Sequence, residues 1–411
     1  MKTTHYRYFR IGIALLVATL LSACSSIPRK EALNSTQLQT ASINGFSNIR
    51  YIPSTKLGTE AFLNELKVVI PKRGADPNRV SNFLSLSGGG DNGAFGAGLL
   101  LGWTKQGSRP DFDQVVGIST GALIAPLAYL GSSYDNVLRD VFTSVTPKDI
   151  YKERGTLGLL FHDAMADNAP LAALIEKNVT VEMLDDIAHL YQTKGRLLLI
   201  GTTNIDTGQI VLWNMGKLAS YKTPASAKLF RQIMLASAAI PGAFPPALFE
   251  AMVEEKEFDE LHVDGGLAVQ IYLYPGAVTK AALAQGVMKP IKRNSYIIRN
   301  AKISIDQSKT ERNGLSIVDR SLKKMIQAQG VGNLYQIYEI ARRDNISFNL
   351  AFIGDDFSYP HPNEFDQAYM KALFNYGYQK ALTGYPWNTS PPGLDQSTEE
   401  DIKAQSKQIR K

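Results

Sequence analysis

The apolar positions of the chain fall into two periods. Short runs rich in β-branched and aromatic residues predict strands at 83–87, 114–118, 196–203, 209–213, 261–263, 295–305 and 348–353. Between them, apolar residues spaced three and four apart predict a helix through Leu99 to Trp103 and others at 121–130, 134–142, 169–192, 225–239, 316–344 and 366–382. A β-branched run at 66–70, closed by Pro71 and Gly74, predicts one more strand at a sheet edge. Strands alternating with helices argue for an α/β fold, with a mainly parallel central sheet covered by helices on both faces. No internal repeat and no metal-ligand spacing interrupts the pattern, so neither a metal nor a cofactor is expected.

Two turns within this pattern carry chemistry. The strand at 83–87 runs into Gly88-Gly89-Gly90-Asp91-Asn92-Gly93 and then a helix, which leaves bare backbone amides at a helix start. The strand at 114–118 runs into Gly117-Ile118-Ser119-Thr120-Gly121, the pattern of a nucleophile elbow, in which a strained strand-to-helix turn lifts a serine hydroxyl clear of the sheet. A third turn, Asp264-Gly265-Gly266, follows the strand at 261–263 and presents a carboxylate. On its own it reads as an ordinary turn.

Gly88, Gly90 and Gly93 also match the spacing of a dinucleotide-binding loop. That reading requires an acidic residue at the end of the second strand to hold a ribose. Asp111 and Asp113 precede the second strand, and its end is occupied by Ser119. The dinucleotide reading is therefore set aside.

Taken in order, the three turns resemble the patatin-like phospholipases, whose pattern is a glycine-rich oxyanion loop, a Gly-x-Ser-x-Gly elbow and an Asp-Gly-Gly or Asp-Gly-Ala turn. The segment Ala236-Ser237-Ala238-Ala239-Ile240-Pro241 is similar to the alanine- and proline-containing stretch that precedes the Asp turn in that family. The resemblance implies a three-layer α/β sandwich and a serine acyl hydrolase. It implies Ser119 as nucleophile and Asp264 as base, and an oxyanion hole from Gly88, Gly89, Gly90, Asp91, Asn92 and Gly93. Gly117, Gly121, Gly265 and Gly266 would shape the two catalytic turns. Asn92 departs from the family, which has arginine there; an amide can still donate a hydrogen bond. The implied substrates are membrane phospholipids or other acyl lipids.

Two other mechanisms fit the same residues. Ser119, Asp264 and His361 occur in the chain order of an α/β-hydrolase triad, with His361 between Pro360 and Pro362 in a loop. An acyltransferase would use the same covalent intermediate. A reading from another class is a non-catalytic lipid-binding envelope protein on this scaffold. His262 shares a strand face with Asp264 by the two-residue period, which suggests packing first and tuning of the carboxylate second.

Composition narrows the setting. The chain has 411 residues, 44% hydrophobic and 20% charged, and a formal charge of +6. Lys2, Arg7 and Arg10 supply half of that charge in the leading residues, and the remainder is too mild to imply a nucleic-acid partner. The basic start, the apolar run at 11–21 and the small residues Ser22 and Ala23 form a secretory signal pattern, too short for a spanning helix. Cys24, the one cysteine of the chain, closes Leu21-Ser22-Ala23-Cys24, which resembles the lipobox of bacterial lipoproteins. That resemblance implies an acylated Cys24, and Ser25 after it favours the outer membrane of a bacterial envelope.

The expected organisation is a signal peptide at 1–23, a lipidated polar spacer at 24–60 with no packed structure before about Ala61, an acyl-hydrolase domain at 61–384 and a polar tail at 385–411. Lys403, Lys407, Arg410 and Lys411 in the tail read as solvated. Residues 156–161 form an apolar turn, read as a buried loop, with a lid or lipid-facing patch as the other reading. Protein partners are left open.

Overall fold

The computed structural model describes residues 28–76, 78–154, 163–289, 291–304 and 310–394. Cys24, the signal segment, the turn at 156–161 and the basic residues of the tail lie outside the described residues. The strands in chain order are β1 (Ser42–Ile43), β2 (Arg50–Tyr51), β3 (Ser81–Leu86), β4 (Gln114–Ile118), β5 (Lys152–Glu153) and β6 (Ala166–Asp167). They continue with β7 (Leu197–Asn204), β8 (Gln209–Asn214), β9 (Ala247–Val253), β10 (Lys256–Asp264), β11 (Arg293–Lys302) and β12 (Ser347–Ile353).

Strands β7, β4, β3, β11 and β12 pair in that order, all parallel. Antiparallel strands extend the sheet beyond them: β8 and β2 on one side of β7, and β10, β9 and β1 on the other. This is the mixed, mostly parallel sheet of a three-layer α/β sandwich. Successive residues of the central strands point to opposite faces and enter different cores. Leu84, Val115, Leu198 and Ile200 pack on one face, with Phe95, Ile124, Phe230 and Leu373 from the helices Gly93–Gln106, Thr120–Leu130, Pro224–Ser237 and Gln367–Leu382. Val116, Leu197 and Leu199 pack on the other, against Phe62 and Leu66 of the helix Lys56–Val69 and Val278 and Ala282 of the helix Val278–Ala284. Farther along that second face, Phe83, Ile297 and Leu350 meet Leu334, Ile337 and Ala341 of the long helix Gly314–Arg343.

Three sequence expectations are corrected. The 66–70 run belongs to the helix Lys56–Val69 and not to an edge strand. Thr55 caps that helix by accepting from the Gly58 amide, and Phe62, Leu66 and Val69 recur at the helical spacing that a five-residue window hides. The expected spacer at 24–60 is packed from Leu33 onward, since Leu33, Leu38, Ile43, Ile49 and Ile52 are buried and Arg50 reaches Glu260 of β10. Its apolar residues are scattered because they flank two short strands, β1 on β9 and β2 on β8, and do not build one amphipathic element. The tail begins later than 385: Tyr385 and Trp387 join the aromatic cluster around Trp103 and Tyr296, and Asn388 pairs with Leu350.

Candidate active site

Ser119 and Asp264 meet because two strands converge on one edge of β7. Parallel β4 pairs with the first part of β7, ending Ile118 against Gly201. Antiparallel β10 pairs with the next part of the same edge, ending Asp264 against Thr202. Residues some 145 apart in sequence are thus delivered to adjacent positions of β7. The site lies at the carboxyl ends of the parallel strands, where open α/β sheets bind ligands.

At the end of β4 the chain turns sharply into the helix Thr120–Leu130. Ser119 takes φ 54° and ψ −125°, a conformation that a residue with a side chain adopts only under constraint. Its amide donates to Ser237 Oγ at 3.0 Å, and Ser237 Oγ donates to the Gly201 carbonyl at 2.6 Å. Gly121 must be glycine for a steric reason, because a Cβ there would run into the Leu86 carbonyl. Gly117 is under the same constraint from the Gly121 carbonyl.

Asp264 is held by its backbone. Its amide donates to the Ala239 carbonyl at 2.8 Å, and its carbonyl accepts from Thr203 Oγ1 at 2.9 Å. The alanine-rich segment before Pro241 therefore acts as a backbone brace for the Asp turn. Asp264 Oδ1 accepts from the Gly266 amide at 2.7 Å, and the Ser119 hydroxyl lies near enough to the carboxyl to favour its charged form. Burial raises its pKa from 3.8 to about 7, against the lowering effect of those two neighbours.

In the glycine loop the six expected residues divide by function of their amides. Gly88 donates to the Gln270 carbonyl at 3.1 Å, Asn92 to Gly89, and Gly93 to Gly90 and Asp91, so these three amides hold the loop's own shape. The amides of Gly89, Gly90 and Asp91 have no partner among the described residues. Gly88 nevertheless lies against the Ser119 turn, since a Cβ on it would come within 3.1 Å of Ser119 Cβ. Asn300, on β11, braces the loop from behind: its side chain accepts from the Gly96 amide at 3.1 Å and donates to the Ser87 carbonyl at 2.9 Å. Gln270 links the two glycine turns, accepting from Gly88 and donating through Nε2 to Gly266 O at 2.9 Å.

His262 packs in the core, against Trp213 and Phe249, and His361 is not at the Ser119–Asp264 pair. His262 is fully buried, and burial lowers its pKa, so the ring is neutral. Its Nε2 lies 2.9 Å from Glu260 and its Nδ1 2.8 Å from Thr202 Oγ1. A carboxylate can only accept, so Nε2 carries the proton and Thr202 donates to Nδ1. Burial works against the charge on Glu260, but Arg50 at 2.6 Å and His262 bring its pKa down to about 2. His262 thus belongs to a network behind Asp264 and does not touch its carboxylate. His361 is brought to Asp91: Nε2 lies 2.6 Å from Asp91 Oδ2 and the ring stacks on Tyr369 at 3.9 Å. The same Oδ2 accepts from the Phe365 amide at 2.8 Å, and the Tyr369 hydroxyl donates to Asn92 Oδ1 at 2.6 Å. Residues 361–369 therefore clasp the loop at both Asp91 and Asn92.

Sequence reasoning missed Ser237, Gln270, Asn300 and Tyr369. Ser237 lay inside a recognised segment, but the other three act through partners 180 to 280 positions away that no local pattern marks.

A serine on a strained elbow, a buried carboxylate beside it and three open amides form a centre able to carry out acyl transfer. Residues 84–271, the stretch that holds the glycine loop, the elbow and the Asp turn, match the family model described as patatin-like phospholipase. No curated protein matches the chain. Among solved structures, the crystal structure of VipD from Legionella pneumophila is similar over 88% of this chain and 72% of that one, at 10% identity and a TM-score of 0.36.

Proposed function

We propose that the protein is a serine lipid acyl hydrolase of the phospholipase A or lysophospholipase type, in which Ser119 and Asp264 act as a dyad without histidine. The observation that carries this reading is the convergence of β4 and β10 on Gly201 and Thr202, which brings Ser119 next to a carboxylate whose pKa burial lifts to about 7. An ordinary aspartate is too weak a base for a hydroxyl near neutral pH; this one is matched to the task.

In the first step Asp264 takes the proton of Ser119 Oγ as the oxygen attacks the ester carbonyl. The carbonyl oxygen gains negative charge and is met by the amides of Gly89, Gly90 and Asp91, which are already oriented and need no rearrangement. The intermediate collapses by breaking the bond to the alcohol, which leaves with the proton from Asp264. Water then attacks the acyl-serine, gives its proton to Asp264 and releases the carboxylic acid; the proton returns to Ser119. His361 is engaged with Asp91, and this favours the dyad over a triad.

We further propose that Cys24 is acylated and holds the protein on a bacterial envelope membrane, the outer membrane being favoured by Ser25. The apolar run before Cys24 and the lipobox-like Leu21-Ser22-Ala23 support this. Among the described residues no helix is long and apolar enough to cross a membrane.

Labelling with a fluorophosphonate tests the nucleophile. The wild type should label in one position and Ser119→Ala should not; equal labelling of both would reject Ser119.

A further inference from the structure

The long helix Gly314–Arg343 changes character halfway along its outward face. Ile317, Val318, Ser321, Met325 and Ala328 recur on one side at helical spacing, and all five are exposed. Val318 is 67% and Met325 68% exposed, the values expected of polar side chains. Farther on, the exposed positions of the same helix are Gly332, Gln336, Glu339, Arg342 and Arg343, an ordinary solvent face. No described residue from Gly314 to Gln329 is buried, whereas Leu334, Ile337 and Ala341 enter the core. The second half is thus a structural helix, and the first half presents an apolar stripe that no part of the described chain covers.

This half stands over the active site. Gln329 Nε2 donates to the carbonyls of Leu267 at 3.2 Å and Ala268 at 2.8 Å, in the turn that follows Asp264. Lys323 Nζ lies 3.3 Å from Glu364, beside the Phe365 amide that holds Asp91. The helix therefore touches the Asp turn on one flank and the clasp of the glycine loop on the other. Other large apolar side chains are exposed on neighbouring segments: Leu267 follows the Asp turn itself, and Tyr359 comes two residues before His361. Met165 is exposed too, on a segment whose amide binds Gly242, in the loop that follows the Ala239 brace.

We propose that the first half of this helix is an interfacial docking element that seats the active site on a lipid surface bearing anionic headgroups. Four observations select this occupant. An exposed apolar stripe backed by a charged flank is the signature of a helix that lies in a membrane interface. The flank is basic, with Arg320, Lys323 and Lys324 against the single acid Asp319 over the same turns. The stripe runs over the same turns as Lys323 and Gln329, which touch the clasp and the Asp turn. Finally, Arg29 binds Asp206 in the β7–β8 turn, at the same carboxyl end of the parallel strands as Ser119. With Cys24 acylated as proposed, four residues lie between the anchor and Arg29, a span of about 17 Å at full extension, and the tether draws this end toward the bilayer. The inference rests on the lipid acyl hydrolase reading, because only an aggregated substrate requires its enzyme to dock.

The test uses the full chain with Cys24→Ser, so that no acyl chain contributes, and with Ser119→Ala for the binding arm. Co-sedimentation with vesicles of phosphatidylglycerol and phosphatidylcholine in equal parts should exceed that with phosphatidylcholine alone and weaken with added salt. Val318→Asp combined with Met325→Asp should lower partitioning at least about tenfold, since it places two charges on a face that enters the interface. In the Ser119 background the same pair should slow hydrolysis of vesicle lipid by a similar factor and leave a soluble short-chain ester unaffected. Unchanged partitioning in the double variant overturns the proposal, as does a parent protein that stays in solution with anionic vesicles. A parent that binds vesicles but hydrolyses neither substrate overturns the enzymatic reading and leaves the docking result standing.

Discussion

His361 and Asp91 lie 2.6 Å apart, nitrogen to carboxylate oxygen, within the glycine loop. Burial raises the pKa of Asp91, and the charge and hydrogen bond of His361 oppose that shift. With Tyr369 bound to Asn92, this pair gives the loop a support from outside it. His361 is thus a positioning residue for the loop amides.

Replacing His361 by alanine should lower kcat by about tenfold and change KM little, because the loop amides act on the transition state more than on bound ester. His361→Gln, which can still donate to Asp91, should recover most of the loss. Steady-state kinetics on a soluble ester, run for both variants, checks the split.

The pH profile follows from Asp264. Only its ionised form can take the Ser119 proton, so kcat/KM should fall about tenfold per pH unit below an inflection near 7, the value to which burial raises this carboxyl. Asp264→Glu, whose longer side chain alters its burial, should move the inflection. A flat profile between about pH 5 and 8 would detach Asp264 from the rate.

The same shift predicts a conflict between activity and stability. With its folded pKa above the unfolded value of 3.8, Asp264 stabilises the fold fully only below about pH 4, and that contribution is lost as pH rises through about 7. Asp264→Asn should therefore raise stability at about pH 8, by up to about 4 kcal/mol, and show no gain near pH 4. Denaturant melts at the two pH values measure it.

Arg50 and Glu260 form an ion pair of which each member is at most 3% exposed. Arg50→Met leaves Glu260 without its main counter-charge and should cost about 3–5 kcal/mol in chemical denaturation. Pairing Arg50→Met with Glu260→Gln should restore part of the loss, since the buried charge is then gone.

What was legible in the sequence was local. Gly117, Gly121 and Ser119 announce an elbow because the constraint acts between near neighbours, and the parallel strands announce themselves because both of their faces are buried. Asp264 was found only through the resemblance of its turn, as nothing in the 145 intervening residues points to Ser119. The register on β7 that joins the two is a property of strand pairing, which single-chain patterns do not encode. Arg50 looked like part of a polar spacer because its partner is on β10, and His361 looked like a loop histidine because Asp91 lies 270 positions earlier. The Lys56–Val69 helix was misread because five of its residues were judged without the cap at Thr55.

The central claim is that Ser119 and Asp264 form one catalytic unit without histidine. Its most direct test compares hydrolysis of a soluble ester by Ser119→Ala, Asp264→Ala, their double variant and His361→Ala. The first two should lose at least about a thousandfold in kcat, the double variant should be scarcely worse than either, and His361→Ala should lose only about tenfold. An active Asp264→Ala beside an inactive His361→Ala would contradict it.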